Sequence, residues 1–247
     1  MWIRAELKSR AKQALRTNGY WVALLVIVVL MLLTGVLGGA GNAGQGQRFE
    51  LRFQRNEFDQ MTRNSQNLPL VSPALAALIG IAAAAYGLFI ANPLRVGGSR
   101  FFLEHRVRAS TVGTIFRPFA AGYLNAVKTM FLQGLFIFLW SLLFIIPGII
   151  KAYQYILTPY ILAENPDIEW RRALDLSRAM TDGCKFDIFV LQISFIGWYL
   201  LGVIALVVGV LFVAPYSEAT MAELYAALRL RVLKSGTATE AELPGVY

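Results

Sequence analysis

An all-α, polytopic membrane protein is the fold class that this sequence predicts. Six transmembrane helices pair as three hairpins, joined by two cytoplasmic interfacial helices. Three observations lead there. Residues 17–47 and 64–94 each run 31 positions without a charged side chain, 129–150 run 22, and 188–217 run thirty. A bilayer core needs only about 20 apolar residues to be crossed as a helix. The composition is 57% hydrophobic and 15% charged, where soluble domains lie at about 45–50% and about 25%. The third observation is where the charge sits. With the N-terminus inside, six spans put residues 1–18, 95–118, 164–185 and the basic end of the chain on one side. Those segments hold 17 Lys/Arg, against 4 in the outer loop 38–70. That is the positive-inside pattern. The net charge of +8 is therefore read as topology and as attraction to anionic lipid headgroups, not to nucleic acid.

Residues 1–18 read as a basic amphipathic helix, with Ile3, Leu7, Ala11 and Ala14 on one face and Lys8, Lys12 and Arg16 on another. The first span follows at 20–37, opened by Tyr20 and Trp21. Its length, and the spans behind it, favour an uncleaved helix over a signal peptide. A Gly/Asn/Gln linker and a mixed polar stretch fill 38–70, where strand-like and helix-like spacings compete. The second span is 71–94, and 95–118 reads as a basic loop. The apolar run 121–163 is too long for one span. Pro147-Gly148 is a turn signal, which divides it into 122–146 and 149–164. The last apolar region divides near Gly209, giving 184–208 and 211–232. The domain organisation is thus 1–18, a six-span domain over 19–233, and a flexible tail over 234–247.

Each returning helix carries a proline followed four residues later by a small residue: Pro93 and Gly97, Pro159 and Ala163, Pro215 and Ala219. Proline removes a ladder hydrogen bond and predicts a kink; the small residue admits a close neighbour. These prolines are either hinges around a central site or packing features. Between the spans, 165–183 predicts an inner amphipathic helix. Asn165 would cap it, Pro166 would occupy its first turn and Gly183 would stop it. Arg171, Asp175, Arg178 and Asp182 form its polar stripe, and Trp170, Ala173, Leu174, Ser177 and Met180 face away.

No phosphate-binding glycine loop, HExxH or Gly-x-Ser-x-Gly motif occurs. Cys184 and His105 are single, so neither a multi-cysteine metal site nor an intrachain disulfide is available. No catalytic set and no cofactor is expected. Ionisable groups within spans are costly and so mark candidate sites. They are Glu218, Glu223, Lys128 and Lys151, which depth along the helices matches as Lys151 with Glu218 and Lys128 with Glu223. Snorkelling lysines and structurally paired acids explain the same pattern without a function. Asn92, Asn125, Gln133, Thr158 and Gln192 are candidates for hydrogen bonds between helices. Arg95, Arg100, Arg106 and Arg108 are candidates for lipid headgroups or act as topology determinants.

The strings ELKSRAKQALRTN, PGIIKAYQYILTPYILAENP, ALDLSRAM, SFIGW at 194–198 and PYSEATMAELY resemble the bacterial integral membrane family catalogued as "domain of unknown function 975". The likeness covers nearly the whole chain except 38–70. It implies a multi-span protein of the bacterial inner membrane, with both termini cytoplasmic in the topology above. It implies no activity and no catalytic residue. The leading expectation is a non-enzymatic accessory or organising factor that binds membrane lipids or other membrane proteins. The alternative is a small transporter using the buried Glu and Lys groups and the kinked helices. A polar cavity reached by Glu218 favours the transporter, and a solid bundle favours the interaction protein.

Overall fold

The structure, a computed structural model, describes residues 2–35, 72–204 and 208–245. All regular structure among them is helical. The expectations for loop 38–70 lie outside the described residues.

Helix α1 (Arg4–Asn18) and helix α2 (Tyr20–Leu30, continued by a π turn over Met31–Gly35) meet at a 100° bend. Gly19 makes the bend with φ of 107°, a conformation that side-chain-bearing residues avoid. Leu7, Ala11 and Leu15 are the buried face of α1. Leu15 thus takes the place expected of Ala14, and Ile3 stays exposed. That face packs on the last helix of the chain.

Helix α3 (Pro73–Tyr86) starts at Ser72, whose hydroxyl accepts from the Leu75 N–H at 3.2 Å. A π turn over Gly87–Ala91 joins it to helix α4 (Asn92–His105). Ala74–His105 is therefore one helical run of 32 residues. Its first half is exposed and apolar; its second half is almost wholly buried. The basic loop expected at 95–118 is thus corrected, because helix continues to His105. The reason is packing. Leu94, Val96, Phe101, Phe102 and Leu103 all enter the core. Gly97 lies so close to the following 3₁₀ turn (Val112–Phe116) that an added Cβ would meet Ile115 O at 1.8 Å.

After the short helix α5 (Arg117–Ala120), helix α6 (Tyr123–Leu143) runs out and helix α7 (Ile145–Gln154) returns. The reversal is at Phe144, three residues before the expected Pro147-Gly148. Pro147 falls in the first turn of α7, where a missing N–H costs nothing. Gly148 lies under Ser141, its added Cβ 2.7 Å from Ser141 Cα. The expected span 149–164 is broken, with helix α8 (Thr158–Glu164) following a turn at 155–157. Ser177 holds this break, accepting from Leu157 N–H at 3.3 Å and donating to Gln154 O at 2.8 Å.

Helix α9 (Trp170–Thr181) starts four residues later than expected. Asn165 does not cap it; its side chain accepts from the Asp167 N–H within a preceding turn. Asn125 fixes that turn, donating to Pro166 O and Ile168 O at 2.7 Å each. The expected faces hold, with Ala173, Leu174, Ser177 and Met180 buried and Arg171, Asp175, Arg178 and Asp182 exposed. Gly183, with φ of 71°, ends the segment.

Helices α10 (Lys185–Ile204) and α11 (Val208–Lys234) form the last pair. Gly209 lies inside α11 and not at the turn; it faces Gly202, and an added Cβ would sit 2.5 Å from Gly202 Cα. Helix α11 is the axis of the core, with Ala222, Leu224, Tyr225 and Leu228 inaccessible or nearly so. It touches α1, α2, α4, α9 and α10. Residues 235–245, expected to be part of a flexible tail, are docked instead. Leu243 is fully buried, and Arg172 grips Glu242 through Nε at 2.6 Å and a second nitrogen at 3.1 Å.

Ala74–His105, Tyr123–Leu143 and Lys185–Gly202 are each long and apolar enough to cross a membrane; the bent α1–α2 pair makes a fourth candidate if taken as one span.

Pro215 lies inside α11 and Pro93 inside the continuous run Ala74–His105, just past its π turn, while Pro159 stands in the first turn of α8. The expected interior kink is thus corrected for Pro159, where the helix breaks instead. Each proline is matched by a side-chain donor from elsewhere. The carbonyl four residues before Pro93, Phe89 O, accepts from Tyr123 OH at 2.8 Å. Tyr155 O, four before Pro159, accepts from Gln133 Nε2 at 3.2 Å. Near Pro215, Tyr20 OH reaches Phe212 O at 2.8 Å, one residue beyond the carbonyl that proline leaves undonated. Glu218, three residues after Pro215, turns to Tyr160.

Candidate functional site

A cavity of about 440 Å³ lies between α2, α4, α8, α10 and α11. Its polar lining is Thr34, Arg95, Ser99, Tyr160, Gln192, Tyr199 and Glu218. Helix α4 presents Arg95 and Ser99 one turn apart on one face. Proline 159 ends the α7–α8 break and lets Tyr160 begin a new helix facing inward. Tyr160 stacks on Tyr225 with ring centroids 5.5 Å apart, and its hydroxyl lies 3.4 Å from Glu218 Oε2. Glu218 is half-buried because it opens on the cavity.

Arg95 and Glu218 are the charged residues of this lining. They act on each other electrostatically. They do not close into an ion pair among the described residues. Arg95 and Thr34 also line a second, wider groove of about 1130 Å³ between α3, the π turn at 87–91 and α6. Its remaining walls are mostly apolar and include Ile81, Leu88, Phe89, Phe131, Leu135 and Phe138. Arg95 and Thr34 are therefore the wall that the cavity and the apolar groove share.

The other expected site residues are placed elsewhere. Glu223 pairs with Arg106 at 2.8 Å. Lys128 lies over the Trp170 ring at 5.9 Å, and Lys151 over Trp140 at 5.2 Å. The expected pairs Lys151–Glu218 and Lys128–Glu223 are thus corrected: the acids meet arginine or tyrosine, and the lysines meet aromatic faces. Arg100 donates to Glu104 at 3.0 Å and to Ala163 O at 2.5 Å, and Arg108 approaches Glu104 at 3.6 Å. Arg117 joins the same carboxylate at 3.6 Å. Of the four arginines singled out, Arg95 alone lines the cavity. Gln192 lines it too, accepting from Tyr153 OH at 2.9 Å.

Two buried carboxylates were not anticipated, Glu104 and Glu164. Glu164 accepts from Tyr225 OH at 2.5 Å, Arg229 Nε at 2.6 Å and Gly245 N–H at 2.6 Å. A signal was present in the sequence: Glu164 ends the uncharged run 152–163, and Tyr225 and Arg229 stand four apart on one helix face. Outside the helices, the Arg172 fork holds the Glu242 carboxyl down at about 2, aided by the Thr239 N–H.

No curated protein matches the chain. No solved structure matches it either. The family described as "Protein of unknown function (DUF975)" matches residues 104–232, more than half of the 247. That stretch carries the α8 break, Tyr160, Glu164 and Glu218, and by this match the chain belongs to that family.

Proposed function

We propose that this is a bacterial inner-membrane protein that binds a membrane amphiphile, with its polar group in the cavity beside Arg95 and its apolar tail in the adjoining groove. The observation that carries the reading is that Arg95 and Thr34 line both spaces. A pocket holding two charges beside an apolar groove suits a ligand with both characters, and the 440 Å³ of the pocket is within the about 300–1,000 Å³ of small-molecule sites. Six spans with cytoplasmic termini remain the topology, with α1 and α9 at the inner interface and the α7–α8 break as an interrupted span. Discontinuous helices are tolerated at membrane depth where they are buried in protein or line a cavity. The protein acts without catalysis, by holding lipid.

The reading is tested with a photoreactive lipid carrying its crosslinker in the acyl chain. Labelling should concentrate on Phe131, Leu135 and Phe138, and fall when Leu135→Trp fills the groove. Labelling spread evenly over exposed apolar residues such as Leu142, Ile146 and Leu200 would refute it. A transporter is the second reading, favoured by the cavity that Glu218 reaches and by Pro159 and the proline-bearing α11 on its border. It requires Glu218→Gln to abolish uptake by a protein that still folds.

A further inference from the structure

Arg95 and Glu218 share one cavity yet remain apart. Arg95 is exposed and Glu218 half-buried, and two separated opposite charges are only partly compensated. Tyr160 reaches one oxygen of Glu218, and a carboxylate offers about four lone-pair positions. An anionic ligand would satisfy Arg95 and be repelled by Glu218. A cationic one would do the reverse, and a neutral one would satisfy neither charge fully.

From this we infer that the ligand is a zwitterion, with an anionic phosphate for Arg95 and a primary ammonium for Glu218. The inference rests on the amphiphile reading above, and it names the headgroup class: an aminoalkyl phosphodiester. The planar guanidinium fork fits two phosphate oxygens at once. The ammonium brings three N–H donors, which the free positions on Glu218 accept. A trimethylated ammonium has no N–H to give, so the site discriminates between two headgroups of equal charge. Tyr160 and Tyr199 on the wall add aromatic faces, which attract either cation and so do not discriminate.

The experiment is native mass spectrometry of the full chain in detergent, stripped of lipid. Phosphatidylethanolamine, phosphatidylcholine and phosphatidylglycerol with identical acyl chains are then added. The wild type should retain phosphatidylethanolamine about tenfold or more over phosphatidylcholine, the worth of a charge-assisted hydrogen bond. Glu218→Gln should bring those two level and raise phosphatidylglycerol binding, while Glu218→Asp should keep the preference. Arg95→Gln should weaken all three. Thermal melts of each variant report folding separately. Equal retention of the two zwitterionic lipids by the wild type, or a preference that survives Glu218→Gln, overturns the inference and leaves amphiphile binding standing. If no lipid binds but free O-phosphoethanolamine does, with the same dependence on Arg95 and Glu218, the zwitterion stands and the amphiphile reading falls. If neither lipid nor free headgroup binds, both fall.

Discussion

Replacing Glu164 by Gln removes a deeply buried, triply bonded carboxylate while nearly preserving its shape. Its side chain is 1% exposed and that of Arg229 is 14%. Three donors converge on it: Tyr225 OH, Arg229 Nε and Gly245 N–H. Hydrogen bonds to a charged group contribute about 1.5–3 kcal/mol each, but three sharing one carboxylate do not add. Breaking a buried ion pair at one partner costs about 3–5 kcal/mol, and that is the expected loss here. In Gln one oxygen becomes an NH₂ facing donors, so the cost should reach the upper part of that range. For a chain of this size each kcal/mol shifts the melting temperature by about 2–4 °C, so a fall of about 6–20 °C is expected in detergent. The assay is a thermal melt followed by limited proteolysis. Because Gly245 loses its acceptor and Arg229 also holds Leu243 O, residues 235–245 should become cleavable well below the melt. A melting temperature within 2 °C of wild type (about one kcal/mol or less by the same scaling), with the tail still protected, would refute the assignment of Glu164 as the anchor of both α11 and the C-terminal segment.

Three further outcomes are expected. Gly97→Ala should cost more than the usual 1–3 kcal/mol of overpacking, since its Cβ would overlap the Ile115 carbonyl; a melt equal to wild type would mean that this contact is not tight. In a Cys184→Ser background, Ser235→Cys should react with an impermeant thiol reagent only from the cytoplasmic side, and labelling from outside would sink the proposed topology. The Glu242 carboxyl is depressed from 4.5 to about 2, so its stabilisation of the docked tail is complete above pH 4.5 and lost as pH falls through about 2. A spin label at Glu240→Cys should therefore stay immobile at pH 5 and loosen toward pH 2; mobility already present at pH 5 would contradict the docking.

Helix positions were legible wherever apolar runs were long, and boundaries failed where tertiary contacts decide them. The run 71–94 was read as a span, but its continuation to His105 depends on Gly97 meeting the 112–116 turn, a contact that no local pattern encodes. The start of α9 slipped from Pro166 to Trp170 because Asn125, forty residues earlier, captures the Pro166 and Ile168 carbonyls. Glu218 stands out as the first charge after thirty uncharged residues, and it does line a cavity. Its partners did not stand out: depth along a helix gives height but not azimuth, so Lys151 was matched where Tyr160 and Arg95 stand. Glu104 and Glu164 sit at the ends of apolar segments, where a charge more often signals solvent, so the uncharged run before Glu164 does not reveal its burial without its distant partners. Those partners are Arg229 and the docked tail at Glu164, and at Glu104 they are Arg100 in the same helix with Arg108 and Arg117 beyond it.

The side-chain donors beside the three prolines also set the order in which the chain can be completed. Tyr123 reaches back 34 residues to Phe89, Gln133 reaches forward 22 to Tyr155, and Tyr20 reaches 192 to Phe212. In a medium without water, an undonated carbonyl is a local defect until its partner arrives. The first two can be mended as neighbouring hairpins emerge; the Tyr20 bond, which lands on Phe212 O beside the undonated Leu211 carbonyl, waits for the opposite ends of the polypeptide to meet. Sliding α11 by one turn against α2 would move Phe212 O about 5.4 Å from the Tyr20 hydroxyl and break that bond. The bond thus works as a register mark. It tells the final hairpin at what height to stop, in an apolar surface that otherwise offers almost no directional contacts.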